Sequence, residues 1–529
     1  MHGEPGVSGR HLTRERIDEE NVKDWLKICE EYHPSCQSNV EAHIAGMQII
    51  DCITKLVIPF SRETAQYLAL SYVWGSACHD IAGFQPRRLG QLPKVIEDAI
   101  LLVCRLGFRY LWIDRYCIPQ ADTTAKLIQI QNMGNIYANS TLTIIAAAGT
   151  TPEYGIPGVD STPRSEELSI RAGRYCLVGT NRPKVEIGNA KWNTRGWTYQ
   201  EALLSKRRLV LTSTQAYFQC QGMHCTESYL VDLRALHSQK RVFHEKVDFG
   251  RAFPSLGDLR KPHTISDRIN EFLKRDLSFD SDALDAITGI LKIYRDLREP
   301  INFFCGLPIF SKASSVLKDV NSMTDILVEA LLWDAPKDMV RRPEFPSWSW
   351  AGWKHSKTAK DDRSVYHFDV YKYFPECTDQ IFPATVIEAE YSNNTNLEWD
   401  SNYRLILKLS DSANYPRSLR ISGWTFGAQV TWEDGWQLIL PPPFATKTIR
   451  LLDIGLPQDR IHSVLGLILT HTRGGCFRFL LLKSNKDGSL FERISYEYQR
   501  VKGVITANPN RENAVLGDLQ VAWDSIHIQ

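Results

Sequence analysis

The chain has 529 residues, 43% hydrophobic and 23% charged, the balance of an ordinary globular protein with room for two to four domains and a full core. Lys+Arg 62 against Asp+Glu 61 leaves a formal net charge of +1, so no global field draws the chain to bulk nucleic acid or to an anionic membrane. Apolar runs such as Leu142–Gly149 and Val464–Leu469 are too short to span a bilayer, and the N-terminal MHGEPGVSGRHLTRERIDEEN lacks the apolar segment of a secretory signal. In chain order, the polar start leads into a short helix around Val22–Glu30 and a strand at Lys55–Phe60. Tyr67–Tyr72 (YLALSY) reads as a strand closed by the turn Val73-Trp74-Gly75-Ser76. Leu92, Val95, Ile96, Ala99, Ile100 and Val103 then recur on one helical face, with Pro93 suited to the first turn and Gly107 to the stop. Phe108–Ile113 is a second strand. Thr124–Tyr137 is a second helix with Leu127, Ile130, Met133 and Tyr137 on one side, and Thr141–Ala148 is a third strand.

Continuous apolar strands alternating with helices predict a parallel α/β sheet covered by helices, whose ligands sit outside the strands' carboxyl ends. Those ends carry Trp74-Gly75-Ser76, Asp114-Arg115-Tyr116-Cys117 and the long Gly/Pro/Ser/Thr-rich loop from Gly149 through Asn193, read as an insertion or lid. A helix start follows at Thr198 and a strand at Arg208–Thr212. Beyond these lie helices over Thr264–Arg275, Asp282–Leu297 and Thr324–Trp333. From Pro346 onward short β-prone runs dominate: Val365–Tyr371, Arg404–Leu409, Ile449–Leu452, Val464–Thr470 and Phe477–Lys483, with Pro441-Pro442-Pro443 among the breakers. These textures divide the chain into an N-terminal extension over 1–66, an α/β domain over 67–228, a mainly helical region over 229–345 and an α+β, strand-rich region over 346–529.

Four segments in this order, Tyr67–Gly75 (YLALSYVWG), Leu111–Gln120 (LWIDRYCIPQ), Met133–Gly149 (MGNIYANSTLTIIAAAG) and Arg195–Glu201 (RGWTYQE), resemble the fungal heterokaryon-incompatibility (HET) domain family. Trp25–Cys36, Asp282–Leu291 and Pro346–Gly352 resemble flanking features of longer members. The resemblance implies a role in fungal self/non-self recognition and regulated cell death, with a homo-oligomer or an incompatibility partner protein as the contact. HET domains are in turn similar to TIR domains, some of which cleave NAD with a glutamate in a W-C-x-x-E pattern. Trp197-Thr198-Tyr199-Gln200-Glu201 has that Trp-to-Glu spacing, with Thr198 in place of the cysteine and the long loop intervening after the third strand.

On that resemblance Glu201 is the candidate catalytic residue. A carboxylate can stabilise the oxocarbenium-like state of nicotinamide–ribose cleavage or orient the ribose hydroxyls. Thr198-x-x-Glu201 is also the pattern of a capping box, in which Glu201 closes a helix start. Ser71, Trp74, Gly75, Asp114, Arg115 and Trp197 are the candidate substrate-binding residues. Trp74 offers a ring to stack on, Gly75 lets a phosphate approach the backbone, and Asp114 lies at a strand's carboxyl end. Tyr72 reads as core. For Asp114 the alternatives are a cap or an ion pair with Arg109 or Arg115, and Arg195 is a further phosphate candidate. Lys206-Arg207-Arg208 reads as a solvated helix end. No G-x-G-x-x-G or Walker pattern is present. No cofactor is required, and NAD or a related small nucleotide enters only as a substrate. The alternative is a non-catalytic signalling adaptor acting through protein contacts.

The twelve cysteines are scattered, so we expect reduced thiols in a cytoplasmic setting. Cys29, His33 and Cys36 (C-x3-H-x2-C) could converge on a metal, with Cys52 or His43 as the fourth ligand that zinc needs; buried thiols packing a helix are the alternative. Cys220, His224 and Cys225 form a sparser cluster. Cys117 with His79 is a candidate nucleophile pair. Trp348 and Trp350, alternating across Ser349, read as core residues on one face of a strand.

Overall fold

The computed structural model describes residues 8–37, 44–61, 66–75, 87–166, 169–172, 175–179, 181–238, 250–310, 323–333, 339–355, 380–381, 384–411, 414–432, 436–440, 447–448, 457, 460–472, 476–485, 487–500, 513–516 and 519–529. The expected strands Val365–Tyr371 and Ile449–Leu452, the prolines Pro441-Pro442-Pro443, and Ser76, His79 and His43 lie outside the described residues. The chain forms two compact units. The first comprises Met1–Leu259, Arg275–Leu277 and Asp285–Lys292; the second comprises Arg260–Lys274, Ser278–Leu284 and Ile293–Gln529.

The first unit is a mixed α/β fold. Its elements are α1 (Glu19–Tyr32), β1 (Gln48–Asp51), β2 (Leu56–Pro59), β3 (Tyr67–Ser71), α2 (Lys94–Arg105), β4 (Tyr110–Trp112), α3 (Thr123–Asn139), β5 (Leu142–Ala146), α4 (Thr198–Leu204), β6 (Arg207–Leu211), β7 (Ala216–Cys220) and β8 (His224–Thr226). They build a nine-stranded sheet in the order β8-β7-β6-β5-β3-β4-β1-β2, with the two-residue strand Arg87–Arg88 at the edge. The sheet is parallel only at its centre, where β4, β3, β5 and β6 run together. The expectation of a parallel sheet is corrected at both flanks, where β1, β2, β7 and β8 pair antiparallel. Hairpins of this kind need only short connections, whereas the parallel centre needs α2 and α3 as crossovers. Every residue of β3 and β5 is buried, as fits strands covered on both faces.

Helix α2 buries the expected face: Leu92 just before it, then Val95, Ile96, Ala99, Ile100 and Val103. Helix α3 differs. Leu127 and Ile128 are exposed, and the buried face runs through Gln129, Met133, Ile136 and Tyr137. That i, i+4, i+7, i+8 row carries a polar member, Gln129, whose amide reaches the Ala45 carbonyl at 2.7 Å. A rule of apolar residues alone misplaces the stripe. The N-terminal stretch is part of the same unit: β1 and β2 lie in the sheet, and Glu227, buried, takes Arg164 at 2.7 Å and the Asp18 amide at 2.8 Å.

The second unit is strand-rich. Ser418–Trp432 is the axis of an eleven-stranded sheet and pairs antiparallel with Leu519–Ile528, His462–Thr472, Thr385–Glu390 and Trp436–Ile439. Arg404–Leu409, expected as a strand, belongs instead to the helix Trp399–Asp411. Its apolar residues are not in a two-residue alternation: Ile406 is buried and Leu405 exposed, one side of a helix facing inward. Trp348 and Trp350 are fully buried, as expected of core residues, but on a turn rather than a strand. Ser349 caps the 3₁₀ turn Trp350–Gly352, and the Trp350 indole donates to the Gly306 carbonyl at 2.8 Å.

Candidate functional site at the strand ends

The carboxyl ends of β3 and β4 and the helix α4 bring three polar side chains to one place. Ser71 is the last residue of β3, Asp114 begins a helical turn two residues beyond β4, and Glu201 sits in the first turn of α4. The Ser71 hydroxyl donates to a Glu201 carboxylate oxygen, and the Trp192 indole donates to the Ser71 oxygen at 2.7 Å. Asp114 accepts from the Trp74 indole at 3.1 Å and from the Arg115 amide at 2.7 Å. It does not pair with Arg109, which instead meets Asp51 at 2.7 Å. Tyr137, from α3, donates its hydroxyl to the Leu70 carbonyl at 3.1 Å and also interacts with the Glu201 carboxylate.

The capping box does not form. The Thr198 hydroxyl donates to the carbonyls of Trp192 and Arg195, at 2.8 and 2.9 Å, rather than receiving an amide of α4. Glu201 turns away from its own helix start toward Ser71.

Electrostatics follow from this burial. Glu201 is only 4% exposed. Burial and the neighbouring Asp114 push its carboxyl up to about 7, against the pull of Ser71, Arg195 and Tyr137. Burial pushes Asp114 up to about 6, offset by Arg195, the Arg115 amide and the Trp74 indole. Asp114 keeps part of its surface in solvent at the rim. The two carboxyls thus share one field with Arg195 between protonation states near neutrality, and they titrate as a pair. Arg195 itself donates to the Tyr72 carbonyl at 2.5 Å.

Both ends of the long loop close over the strand ends. Trp192, from the end of the long loop, is fully buried against Ser71. Pro152 lies 2.9 Å from where a Cβ on Gly75 would stand, so only glycine fits there. The approach to α4 is pinned by a distant segment: Gly196 donates to the Asp276 carbonyl at 2.7 Å, and Arg275 lies 4.5 Å over the Tyr199 ring.

The stretch that supplies these groups, from Tyr67 at the start of β3 to Glu201, matches the family model of Heterokaryon incompatibility protein (HET), residues 67–201. The chain carries a HET domain. No curated protein and no solved structure matches the chain. Of the candidate residues in the HET domain, Ser71, Trp74, Asp114 and Glu201 come together, with Gly75 under Pro152 at the rim. Arg115 is buried and in the field of Tyr72, so it does not extend into solvent as a free phosphate contact. Trp197 is partly buried and packs against the core. Cys117 is buried with its sulfur accepting the Ile113 amide at 3.4 Å; its expected partner His79 is outside the described residues. Arg207 and Arg208 are buried in β6, not solvated, which corrects the basic cluster.

Trp192 and Arg275–Asp276 were not anticipated. Trp192 carried a signal, an aromatic in KWNTRGW just ahead of the motif; the second segment carried none, because only the fold brings it there. Among the described residues no helix is long and apolar enough to cross a membrane. The remaining candidates, Cys29, His33, Cys36 and Cys220, lie together elsewhere in the same unit.

Proposed function

We propose that the HET domain is the effector part of a non-self response leading to cell death, and that its strand-end site cleaves the nicotinamide–ribose bond of NAD or a related nucleotide. The supporting observation is the acid pair at the strand ends, with Glu201 buried, held by Ser71 and raised toward neutrality beside Asp114. Glycoside cleavage uses two such carboxylates. The C1′–N bond breaks with its electron pair leaving on nicotinamide, and an ionised Glu201 stabilises the positive charge left on the ribose. Water then adds at C1′ and gives its proton to the carboxylate pair. Trp74, with 39% of its surface exposed beside Asp114, is the ring available to a base or nicotinamide. The similarity to TIR domains belongs to this proposal.

A second reading is favoured by one observation: Trp192 and Pro152 are seated over the strand ends, which suits a closed module that acts through protein contacts or opens only on assembly. Nicotinamide release by the full-length protein, assayed dilute and concentrated beside Glu201→Gln, separates the two. Turnover lost in the variant with its fold intact supports the enzyme. No turnover by the wild type in any assembled state leaves the protein-contact module.

A further inference from the structure

The first unit holds a second cluster outside the strand-end site. The ligand-capable atoms of Cys29, His33, Cys36 and Cys220 all lie within 4.8 Å of one another. Tetrahedral zinc, with Zn–S of about 2.3 Å and Zn–N of about 2.0 Å, needs ligand atoms roughly 3.5–3.8 Å apart. Cys29 lies in α1, His33 follows it, Cys36 ends the next 3₁₀ turn, and Cys220 ends β7. The fourth member is therefore Cys220 and not Cys52; His43, the other candidate from the spacing, lies outside the described residues. All three thiols are buried and none is in a disulfide.

Three features match a loaded metal site. First, each sulfur accepts an N–H as metal thiolates do: Cys36 from the Gln221 amide at 3.4 Å, Cys220 from the Met223 amide at 3.3 Å, and Cys29 from the Arg207 guanidinium at 3.2 Å. Second, charge balances. Zinc with three thiolates and one imidazole carries −1, and Arg207, buried and with no carboxylate partner among the described residues, supplies +1. Third, the histidine's tautomer is set. His237 Nδ1 faces the Leu233 carbonyl at 2.5 Å and so carries the proton. In a neutral ring its Nε2 then accepts from His33 Nε2 at 3.1 Å, which leaves the His33 Nδ1 lone pair toward the sulfurs, 3.3 Å from Cys220. That is the outer hydrogen bond a metal-bound histidine makes. Gly222 is part of the design: a Cβ there would lie 2.2 Å from the His33 ring.

We propose that Cys29, His33, Cys36 and Cys220 bind one structural zinc ion, which ties α1 to the β7–β8 hairpin. Cys29, His33 and Cys36 precede the matched segment 67–201 and Cys220 follows it, so the ion fastens the two flanks of the HET domain to each other. Four protein ligands leave no open position for water, so the role is structural rather than catalytic.

The test uses the full-length protein, free of any histidine tag. Elemental analysis should find about one zinc per chain, and cobalt(II) exchanged into the protein should show tetrahedral d–d bands with thiolate-to-cobalt charge transfer. Cys220→Ser should lose the ion, and Cys225→Ser, on the same hairpin, should keep it. Should Cys220→Ser fail to fold, Cys220→His retains four ligands and should retain cobalt with weaker charge transfer. Folded wild type that takes up neither zinc nor cobalt would overturn the proposal. So would cobalt bands undiminished in Cys220→Ser, or a disulfide among the three thiols.

Discussion

The two buried polar clusters of the first unit are opposites in electrostatic design. At the strand ends two carboxyls lie close together; burial raises both toward neutrality, and Asp114 raises Glu201 further. Arg195 relieves part of this, yet one of its donors is committed to the Tyr72 carbonyl. At the cysteine cluster, every sulfur has a donor and a buried guanidinium stands ready for the negative charge of a loaded site. The first arrangement holds electrostatic tension, the state from which proton transfer and charge stabilisation proceed. The second suits holding the fold together. One unit thus separates the place where it is poised from the place where it is tied.

The largest expected effect tests the tie. Stripping the proposed ion from wild type with a chelator, or replacing Cys36 by Ser, should destabilise the first unit by more than about 4 kcal/mol, as losing a structural metal does. Calorimetric melting with and without chelator measures it. A chelator that leaves the melting temperature unmoved would erase the contrast between the two clusters. The strand-end acids should show no response to chelator beyond that of the unit as a whole.

The next effect tests the poise, and its sign is opposite to that of an ordinary ion-paired acid. Glu201 is raised from 4.5 to about 7 in the folded protein, so between those values the folded state holds a proton that the unfolded state has released. Stability is therefore highest below about pH 4.5 on this account and declines as pH rises through 7, by roughly 3 kcal/mol in total. Glu201→Gln, neutral throughout, should flatten that decline while keeping a partner for Ser71. Urea midpoints across this window decide it; parallel slopes in wild type and variant would mean that Glu201 is not the group under tension.

How far sequence reached differs between the clusters for a physical reason. The strand-end site was legible because its members lie at fixed places in a β–α–β pattern: a strand end for Ser71, another for Asp114, a helix start for Glu201. Its apolar strands and the helix Lys94–Arg105 carried the same period as the fold. What was missed was tertiary. Trp192 reaches Ser71 from a loop without periodicity, and Asp276 reaches Gly196 from far along the chain. The cysteine cluster was half legible. Three ligands share a local spacing on and after α1, but Cys220 is separated from Cys36 by the whole matched segment, and only the antiparallel β7, which no parallel reading contains, returns it. Basic residues misled for the same reason: Arg207 and Arg208 read as solvated until the sulfurs and carbonyls around them are known.

The smallest effect sharpens what Trp74 does at the poised end. Its ring is partly exposed and its indole N–H bonds Asp114, so Trp74→Phe should change stability by no more than about 0.5 kcal/mol. Losing a donor to the charged form should nudge the Asp114 carboxyl further up, visible as a small upward shift in its titration. Trp74→Ala removes the ring as well as the N–H. If the ring stacks on a nucleotide base or on nicotinamide, binding of NAD followed by calorimetry should weaken by about 1–3 kcal/mol in the alanine variant and much less in the phenylalanine variant. Equal loss in both would assign Trp74 to holding Asp114 alone. The poised site would then recognise its ligand through the acids and not through a stacking face.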